Sequence, residues 1–334
     1  MITIDELNLI IKNYSLGRSI SSIEQLTDGW TNITCKFQIE SSNEIYVLRE
    51  YVSADLQTIK FELKFLRYLF EGQQQQLPVV PSIDPPGIII LSNQHYATLF
   101  PFISGRKYLN SERDLWQIIE ISRFLGRLHS IDFNEKYSRR TINIPHIKYQ
   151  LINCCENFRQ NQPIIYERIR RIVDEKTESI PLIENECEQI QFENDFEIDL
   201  PKGFIHLDVH DENVLFHHEL KQIVAVLDFD ELSYGPFLLD IAMTLCFWCL
   251  VESKFRFDYV RIFLIEYQQS RAMNLTENEW IHLELYCYLV FLHQILFLIE
   301  LNECRPVETK MFEELIQPLE QIYANKNFLK IIQQ

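Results

Sequence analysis

The chain has 334 residues, of which 47% are hydrophobic and 24% are charged, and its formal net charge at pH 7 is -17. The length favours two domains, and the composition excludes a disordered chain because enough apolar side chains are present to form a core. The negative charge argues against nucleic acid and anionic membrane surfaces as partners. It suits a cationic substrate, although solubility alone would also explain it.

The cysteines and the long apolar runs indicate a reduced, intracellular protein. The eight cysteines are Cys35, Cys154, Cys155, Cys187, Cys246, Cys249, Cys287 and Cys304. Most lie in apolar stretches and are interpreted as buried thiols rather than a disulfide framework. The N-terminus lacks the basic start and the cleavage site of a signal peptide. The apolar runs 237–251 and 286–301 are shorter than the ~20 residues that span a bilayer, so we expect core helices and a cytoplasmic location.

Residues 1–100 carry strand signals around one amphipathic helix. The predicted elements are a helix over 4–14, strands over 20–26, 33–39 and 45–52, a helix over 55–71, and a hairpin over 88–91 and 96–100. Apolar and polar side chains alternate along residues 33–39, which is typical of a half-buried strand. We therefore expect a mainly antiparallel sheet.

After residues 101–105 the pattern becomes largely helical. Ser111 followed by Asp114 predicts a capped helix start, and Thr276 with Glu279 predicts a capping box. The predicted helices run from 111 to 129 and over 149–177, 237–252, 254–270, 277–301 and 308–324, with short strands between 203 and 230. The acid-rich segment 184–199 is interpreted as a solvated connector.

The segment 203–240 contains the groups that phosphoryl transfer requires. Asp208 and Asn213 belong to a His-x-Asp-x-x-x-x-Asn motif, and an apolar run then ends at Asp228. A carboxylate that orients the attacking hydroxyl and two oxygen ligands for Mg²⁺ occur in this order in kinases. We therefore predict Asp208 as the catalytic base and Asn213 and Asp228 as metal ligands. An ordinary loop with surface acids is the alternative.

Two histidines flank the predicted base. His206 is expected to brace the loop backbone rather than to transfer a proton. His210, like the neighbouring Asp211, is left open between a role in loop structure and contact with the substrate.

The N-terminal half supplies candidate nucleotide contacts. The turn that holds Gly29, Thr31 and Asn32 lies between two predicted strands, where backbone N–H groups can bind phosphates. An ordinary hairpin turn explains the same residues. Arg49 could hold the phosphates, and Glu62 on the next helix could pair with it. Unrelated surface charges are the alternative for this pair.

These motifs resemble those of the aminoglycoside phosphotransferase and choline kinase superfamily. Its nucleotide loop, third strand, hinge and first C-terminal helix resemble residues 26–32, 46–49, 98–105 and 125–129. The resemblance implies an α+β, bilobal protein-kinase-like fold with a small antiparallel-sheet N-lobe and a large helical C-lobe. It also implies that backbone groups near Phe100 and Phe102 hold adenine and that Asp240 supports the catalytic loop.

Two branches of the superfamily share further segments with the chain. Residues 200–206 and 263–301 are similar to homoserine kinases, and residues 100–106 and 124–129 are similar to bacterial stress-response Ser/Thr kinases. His210 fits the antibiotic-kinase form of the loop, whereas homoserine kinases carry an aromatic residue there. Leu207 stands where the family usually has Gly or Ala. Arg49 replaces the commoner Lys, and its planar fork requires a different phosphate geometry.

These observations predict an ATP- or GTP-dependent phosphotransferase that uses Mg²⁺. The expected domains are a nucleotide-binding lobe (1–100), a hinge (101–105) and a helical lobe with the catalytic loop and substrate site (106–334). The expected acceptor is an amino alcohol, amino sugar or aminoglycoside-like molecule, held by acids such as Asp230, Glu231 and those of 184–199. A Ser/Thr protein kinase, a homoserine kinase and a non-catalytic nucleotide-binding scaffold are the alternatives. Both a monomer and a homodimer are compatible with the sequence.

Overall fold

The computed structural model describes residues 4–16, 19–26, 32–40, 42–72, 77–135, 156–176, 199–271, 273–304 and 307–324. The chain divides into two compact units. The first unit comprises Met1–Lys107 and Glu212–Asp230, and the second comprises Tyr108–Asp211 and Glu231–Gln334.

The first unit is built on a five-stranded antiparallel sheet in the order β1-β2-β3-β5-β4. Its strands are β1 (Ile20–Leu26), β2 (Ile33–Ile39), β3 (Ile45–Tyr51), β4 (Ile88–Ile90) and β5 (Tyr96–Pro101). Helix α1 (Ile4–Asn13) precedes the sheet, and helix α2 (Leu56–Glu71) follows β3. The carboxylate of Asp55 caps α2 by accepting the N–H groups of Gln57 and Thr58.

Alternation along the central strands determines which side chains enter the core. Phe37 of β2 and Leu48 of β3 pack with Leu7 and Ile11 of α1 in one buried cluster. Because consecutive side chains of a strand point to opposite faces, Arg49 lies on the sheet face opposite to Leu48. The strand pattern therefore directs the predicted phosphate-binding cation away from the α1 side of the sheet.

A second hairpin completes the first unit. It consists of β7 (Val214–Phe216) and β8 (Ile223–Val226), with β6 (Lys202–Ile205) preceding it in the second unit. A side chain on Gly105 would place its Cβ 2.7 Å from Leu215 Cβ, so only glycine permits this close approach. The chain that leaves β8 carries Asp228 and Asp230.

The second unit is mostly helical. Its helices are α3 (Leu115–Leu128), α4 (Glu156–Asn161), α5 (Pro163–Lys176), α6 (Phe237–Trp248), α7 (Phe257–Arg271), α8 (Glu277–Cys304) and α9 (Thr309–Ala324). Two short antiparallel pairs join them, β6 with β9 (Ser233–Pro236) and β10 (Leu250–Val251) with β11 (Lys254–Phe255). An antiparallel sheet in one unit and a largely helical second unit confirm the predicted α+β fold class.

Of the two helix caps predicted from the sequence, one is present in the structure and the other is not. The Thr276–Glu279 capping box is present, because Thr276 Oγ1 accepts the N–H of Glu279 and the Glu279 carboxylate accepts the N–H of Thr276. The predicted cap at Ser111 is wrong. Ser111 lies in a 3₁₀ turn, and α3 begins after Asp114, whose side chain accepts the N–H of Leu115.

The helices predicted over 237–252 and 254–270 have other bounds where they face each other in the sequence: α6 already ends at Trp248, and α7 begins only at Phe257. The hairpin of β10 and β11 lies between α6 and α7, and Glu252 and Ser253 at its turn have φ values of 48° and 62°. Helix α6 ends before this turn, capped by Cys249, whose N–H donates to the carbonyl of Leu245, and the apolar composition of residues 237–251 gave no sign of this boundary. The helix predicted over 149–177 is described only from residue 156, and a second helix begins there at Pro163.

Apolar helices and cysteines are largely buried. By length and composition, the stretch Glu277–Leu301 of α8 could cross a membrane, and more than half of its most apolar window is buried in the protein. The four cysteines whose side chains are described are buried free thiols: Cys35, Cys246, Cys249 and Cys287. The side chains of Cys154, Cys155, Cys187 and Cys304 lie outside the described residues.

Candidate active site

The predicted base, Asp208, lies in the loop that follows β6. Its backbone N–H donates to Nδ1 of His206, at an N···N distance of 3.2 Å, and His206 is fully buried. The predicted bracing role of His206 is therefore confirmed. The carboxylate of Asp208 keeps about a third of its surface exposed, at 31%, so a fixed backbone carries an accessible acid.

A single buried carboxylate fixes the start of this loop. Asp240 of α6 accepts the N–H groups of His206 and Leu207, at 2.7 and 2.8 Å, and faces Nε2 of His129 at 3.0 Å. Leu207 has a φ of 67°, a left-handed conformation that is strained for a residue with a side chain. The predicted support of the loop by Asp240 is confirmed.

The protonation states in this buried group follow from its contacts. Burial lowers the pKa of His129 against the opposing effect of Asp240, so its ring is neutral. Burial alone would raise the pKa of Asp240, but His129 and the N–H of His206 hold that pKa below its usual value. Tyr267 contacts the other ring nitrogen, Nδ1, at 2.8 Å. The loop is thus anchored by a carboxylate that stays ionised.

His210 lies between two acids of the same loop. Its Nε2 is 3.5 Å from Asp208 Oδ2, and its Nδ1 is 3.7 Å from Asp211 Oδ1. Burial lowers the pKa of His210, but the two carboxylates outweigh it and raise the pKa to about 9. Asp211 in turn pairs with Arg113 at 3.0 Å. His210 is therefore a cation at neutral pH.

In the first unit, Arg49 contacts three acidic side chains, one of which is the predicted metal ligand Asp228. Its Nη1 is 3.4 Å from Glu62 Oε1, and its Nη2 is 2.5 Å from Asp228 Oδ1 and 3.1 Å from Asp230 Oδ2. The predicted pairing of Arg49 with Glu62 is present. Asn32 joins the group because its Nδ2 donates to Asp230 Oδ2 at 3.0 Å.

The charged groups around Arg49 shift one another's pKa values. Burial opposes the charge of Arg49, yet Glu62 and Asp228 raise the pKa of the guanidinium above its ordinary value. For Asp230, burial and the neighbouring Asp228 raise the pKa to about 8, and Arg49 only partly offsets them. A proton on Asp230 therefore competes with other cations near neutral pH.

The predicted metal ligands supply donors that suit Mg²⁺. Asp228 offers a carboxylate at a backbone φ of 63°, and Asn213 offers a buried side-chain amide. The carbonyl of Asn213 accepts the N–H of Leu227 at 2.8 Å, which ties the start of β7 to the end of β8. A carboxylate and an amide are hard oxygen donors, and Mg²⁺ completes its shell with water and phosphate oxygens. The residues present therefore fit this ion.

Other predicted contacts receive less support. The N–H of Phe102 donates to Ile45 O at 3.0 Å, and Phe100 is opposite Val47 in the ladder between β3 and β5. The Phe102 N–H is thus engaged within the sheet, and adenine binding near these residues stays a prediction. Glu231 is exposed. Gly29, Thr31 and the acids of 184–198 lie outside the described residues.

Sequence reasoning missed Arg113 and the contact between Asn32 and Asp230. Arg113 directly precedes a helix cap, where a charged residue usually lies in solvent, yet only 3% of its side chain is exposed. Asn32 and Asp230 are 198 positions apart. No local pattern reports either feature.

Solved structures with the same fold include three small-molecule kinases. An aminoglycoside phosphotransferase from Alicyclobacillus acidocaldarius has a TM-score of 0.68 at 13% identity, with 100% of this chain and 96% of that chain covered. A spectinomycin phosphotransferase in complex with ADP and spectinomycin has 0.62 at 14%, with 99% and 98% covered. A choline kinase from Cryptosporidium parvum has 0.60 at 17%, with 92% and 89% covered. At these identities the likeness establishes the fold.

A search of curated proteins finds no match. The family model described as "APH: Phosphotransferase enzyme family" matches residues 22–273, which is most of the chain and includes every predicted site residue from Gly29 to Asp240. Together with the kinase-type loop around Asp208, this match identifies the chain as a member of the APH phosphotransferase family.

Proposed function

We propose that this phosphotransferase moves the γ-phosphoryl group of ATP or GTP to a hydroxyl of a small molecule that also carries an amine. The main support for this proposal is the loop of Asp208. Asp240 and His206 hold the backbone of this loop, while the carboxylate of Asp208 remains accessible. Phosphoryl transfer depends mainly on positioning and charge neutralisation, and a fixed loop with an accessible acid serves both.

Each residue has one task in this proposal. Asp208 orients the acceptor hydroxyl and takes its proton as the new P–O bond forms. Asn213 and Asp228 hold Mg²⁺, which neutralises phosphate charge when bound. Arg49 binds phosphate oxygens, and Glu62 keeps its guanidinium oriented from α2.

The charge balance around Arg49 supports cation binding. One guanidinium lies among three carboxylates, those of Glu62, Asp228 and Asp230. Acid therefore exceeds base around Arg49, and burial together with the neighbouring Asp228 raises the pKa of Asp230 to about 8. A bound divalent cation would neutralise this excess of negative charge, which supports Mg²⁺ as the cofactor.

The domain roles, the location and the oligomeric state in this proposal are those that the sequence predicts. Residues 1–100 bind the nucleotide, residues 101–105 form a hinge, and residues 106–334 bind the acceptor. The protein acts in the cytoplasm as a monomer or homodimer. Its net charge of -17 favours cationic acceptors such as amino alcohols and amino sugars.

The contacts of Asp230 and Glu231 indicate which of these two acids is the better candidate to bind the acceptor's amine. Asp230 already contacts Arg49 and Asn32, so the exposed Glu231 is the better candidate of the two. His210, as a cation beside Asp208, disfavours an ammonium group next to the base. The amine of the acceptor should therefore bind away from the reacting hydroxyl.

ADP release from Mg·ATP tests this proposal. Amino alcohols, amino sugars, aminoglycosides, homoserine and a Ser/Thr protein serve as acceptors, and ³¹P NMR identifies the phosphate ester. We expect amine-bearing small molecules to stimulate turnover, and Asp208→Asn to lower kcat by about 10²–10⁴-fold while nucleotide still binds. Asp174→Asn, at an exposed acid of α5, is the matched control.

Three results would contradict the proposal. Asp208→Asn with unchanged turnover would remove the assigned base. Labelling of the protein acceptor alone would indicate a protein kinase, and nucleotide binding without transfer to any acceptor would indicate a scaffold.

A further inference from the structure

We propose that His210 is a positioning residue for phosphoryl transfer, a fixed cation that orients the carboxylate of Asp208 and is itself held by Asp211 and Arg113. This inference rests on the proposed function, because it assumes that Asp208 acts on the acceptor hydroxyl. It adds a role to residues that the sequence left open or missed.

The surroundings of the imidazole ring favour a positive charge. Nε2 faces Asp208 Oδ2 at 3.5 Å and Nδ1 faces Asp211 Oδ1 at 3.7 Å, so both ring nitrogens are at ion-pair distance from a carboxylate. A neutral imidazole carries a proton on one nitrogen only and would direct a lone pair at one of the acids. The protonated ring satisfies both.

Arg113 anchors the far end of this chain of charges. Its Nη2 is 3.0 Å from Asp211 Oδ2, and its Nη1 donates to the carbonyls of Phe247 and Leu250, the latter at 2.8 Å. The guanidinium also lies 5.1 Å from the ring centroid of Trp248. Arg113 is thereby fixed to the end of α6 and to β10, which follows it.

The backbone beside His210 is held from the same helix. Trp248 Nε1 donates to Val209 O at 2.7 Å, and the His210 and Phe247 rings lie 5.4 Å apart between centroids. Charges therefore alternate from the buried Arg113 through Asp211 and His210 to the accessible Asp208. This arrangement restricts rotation of the Asp208 carboxylate, because turning it would separate Oδ2 from the cation.

Positioning is the larger part of what a base contributes to this reaction. The transition state of phosphoryl transfer is loose, so direction and distance of the carboxylate matter more than its basicity. A misplacement of about 1 Å can lower a rate about 10²-fold. Loss of the His210 cation should therefore reduce turnover more than nucleotide binding.

Two variants of one position separate charge from structure. His210→Gln removes the cation and keeps a polar side chain, whereas His210→Lys keeps the cation. We expect kcat to fall about 10–100-fold in His210→Gln with little change in the KM for ATP, and His210→Lys to recover most of that loss. His282→Gln, at a histidine of α8 that bonds the Asn278 carbonyl, should leave kcat unchanged.

The pH profile gives a second readout. The groups that face His210 are Asp208 and Asp211 on its own loop, with Arg113 behind Asp211 and the Phe247 ring on α6. The cation persists below its pKa of about 9, so wild-type kcat should fall as pH rises through about 9. His210→Gln should lack that decline.

Unchanged kcat in His210→Gln would overturn the inference, as would equal losses in the Gln and Lys variants together with a lower melting temperature. The pairing is also measurable without turnover. In ¹⁵N NMR at neutral pH, both His210 ring nitrogens should be protonated, and Asp208→Asn should lower the ring's pKa. A neutral ring, or one unaffected by Asp208→Asn, would refute the pairing. Intact pairing in an enzyme inactive on every acceptor would refute the proposed function instead.

Discussion

Arg49 and Asp228 form a direct ion pair, with Nη2 of the arginine 2.5 Å from Oδ1 of the aspartate. The residue predicted to bind phosphate thus contacts the residue predicted to bind the metal. Asp230 and Glu62 extend the pair at 3.1 and 3.4 Å. The cation and the acids therefore stabilise one another in the folded protein, and changes at either should affect stability as well as activity.

Removal of Arg49 should destabilise the protein. Arg49→Met leaves Glu62, Asp228 and Asp230 without their shared cation, and loss of one partner of a buried ion pair costs about 3–5 kcal/mol. Urea unfolding measures this loss. Arg123→Met is the control, because Arg123 is half-exposed and its surface pairs should contribute about 1 kcal/mol or less. Equal losses in the two variants would contradict the prediction.

Asp230→Asn should stabilise the protein in a pH-dependent way. Burial and the neighbouring Asp228 raise the pKa of Asp230 in the folded protein from its ordinary value of 3.8 to about 8. The folded state thus binds a proton that the unfolded state releases, and stability is lost as pH rises between these values. The stability advantage of the variant over wild type should therefore grow from about pH 4 to about pH 8. Melting temperatures of both proteins across this range test the sign, and a difference that does not change with pH would refute it.

Leu207 should prefer glycine over alanine. Its φ of 67° is strained for any residue with a Cβ, whereas its N–H is fixed by Asp240. Leu207→Gly should therefore be more stable than Leu207→Ala by about 0.5–1 kcal/mol. At the exposed Lys60 inside α2 the order should reverse, with alanine better by about 1 kcal/mol. The same order at both positions would argue against a left-handed Leu207.

Gly126→Ala should disrupt the packing of α3 against α7. A Cβ on Gly126 would lie 2.6 Å from the carbonyl oxygen of Tyr267 and 2.9 Å from the N atom of Arg271, and these backbone atoms cannot move independently. We expect a loss of about 1–3 kcal/mol from overpacking. Gly72→Ala, whose nearest atom is Tyr68 O at 3.2 Å, is the matched control and should lose less. Chemical unfolding of both variants decides.

The sequence was sufficient where local periodicity determines structure. Alternation along residues 33–39 located β2 with its observed bounds, and the order of Asp208, Asn213 and Asp228 identified the segment that we predict to be catalytic. These features depend on neighbours within a few positions. The support of the loop by Asp240 was available only through the resemblance to a known family.

The sequence was insufficient where a contact joins distant segments or where backbone conformation changes without a compositional sign. The pairing of Asn32 with Asp230 and the burial of Arg113 depend on tertiary packing. The apolar run 237–251 favours a helix up to residue 252, but α6 ends at Trp248 and the last residues of the run form β10 of a hairpin. The role of His210 stayed open for a different reason: Asp208 and Asp211 are near it in the sequence, but the sequence does not show that both carboxylates face its ring.

Asp240 links the loop that carries Asp208 to the hydrophobic interior. It belongs to α6, which is almost entirely buried and packs against α8, and it holds two consecutive peptide groups of the loop. The position of the loop therefore depends on how well α6 is packed. Mild heat or denaturant that loosens the packing of α6 should abolish turnover before the protein unfolds. Loss of activity would then report the loss of core packing earlier than a melting curve does.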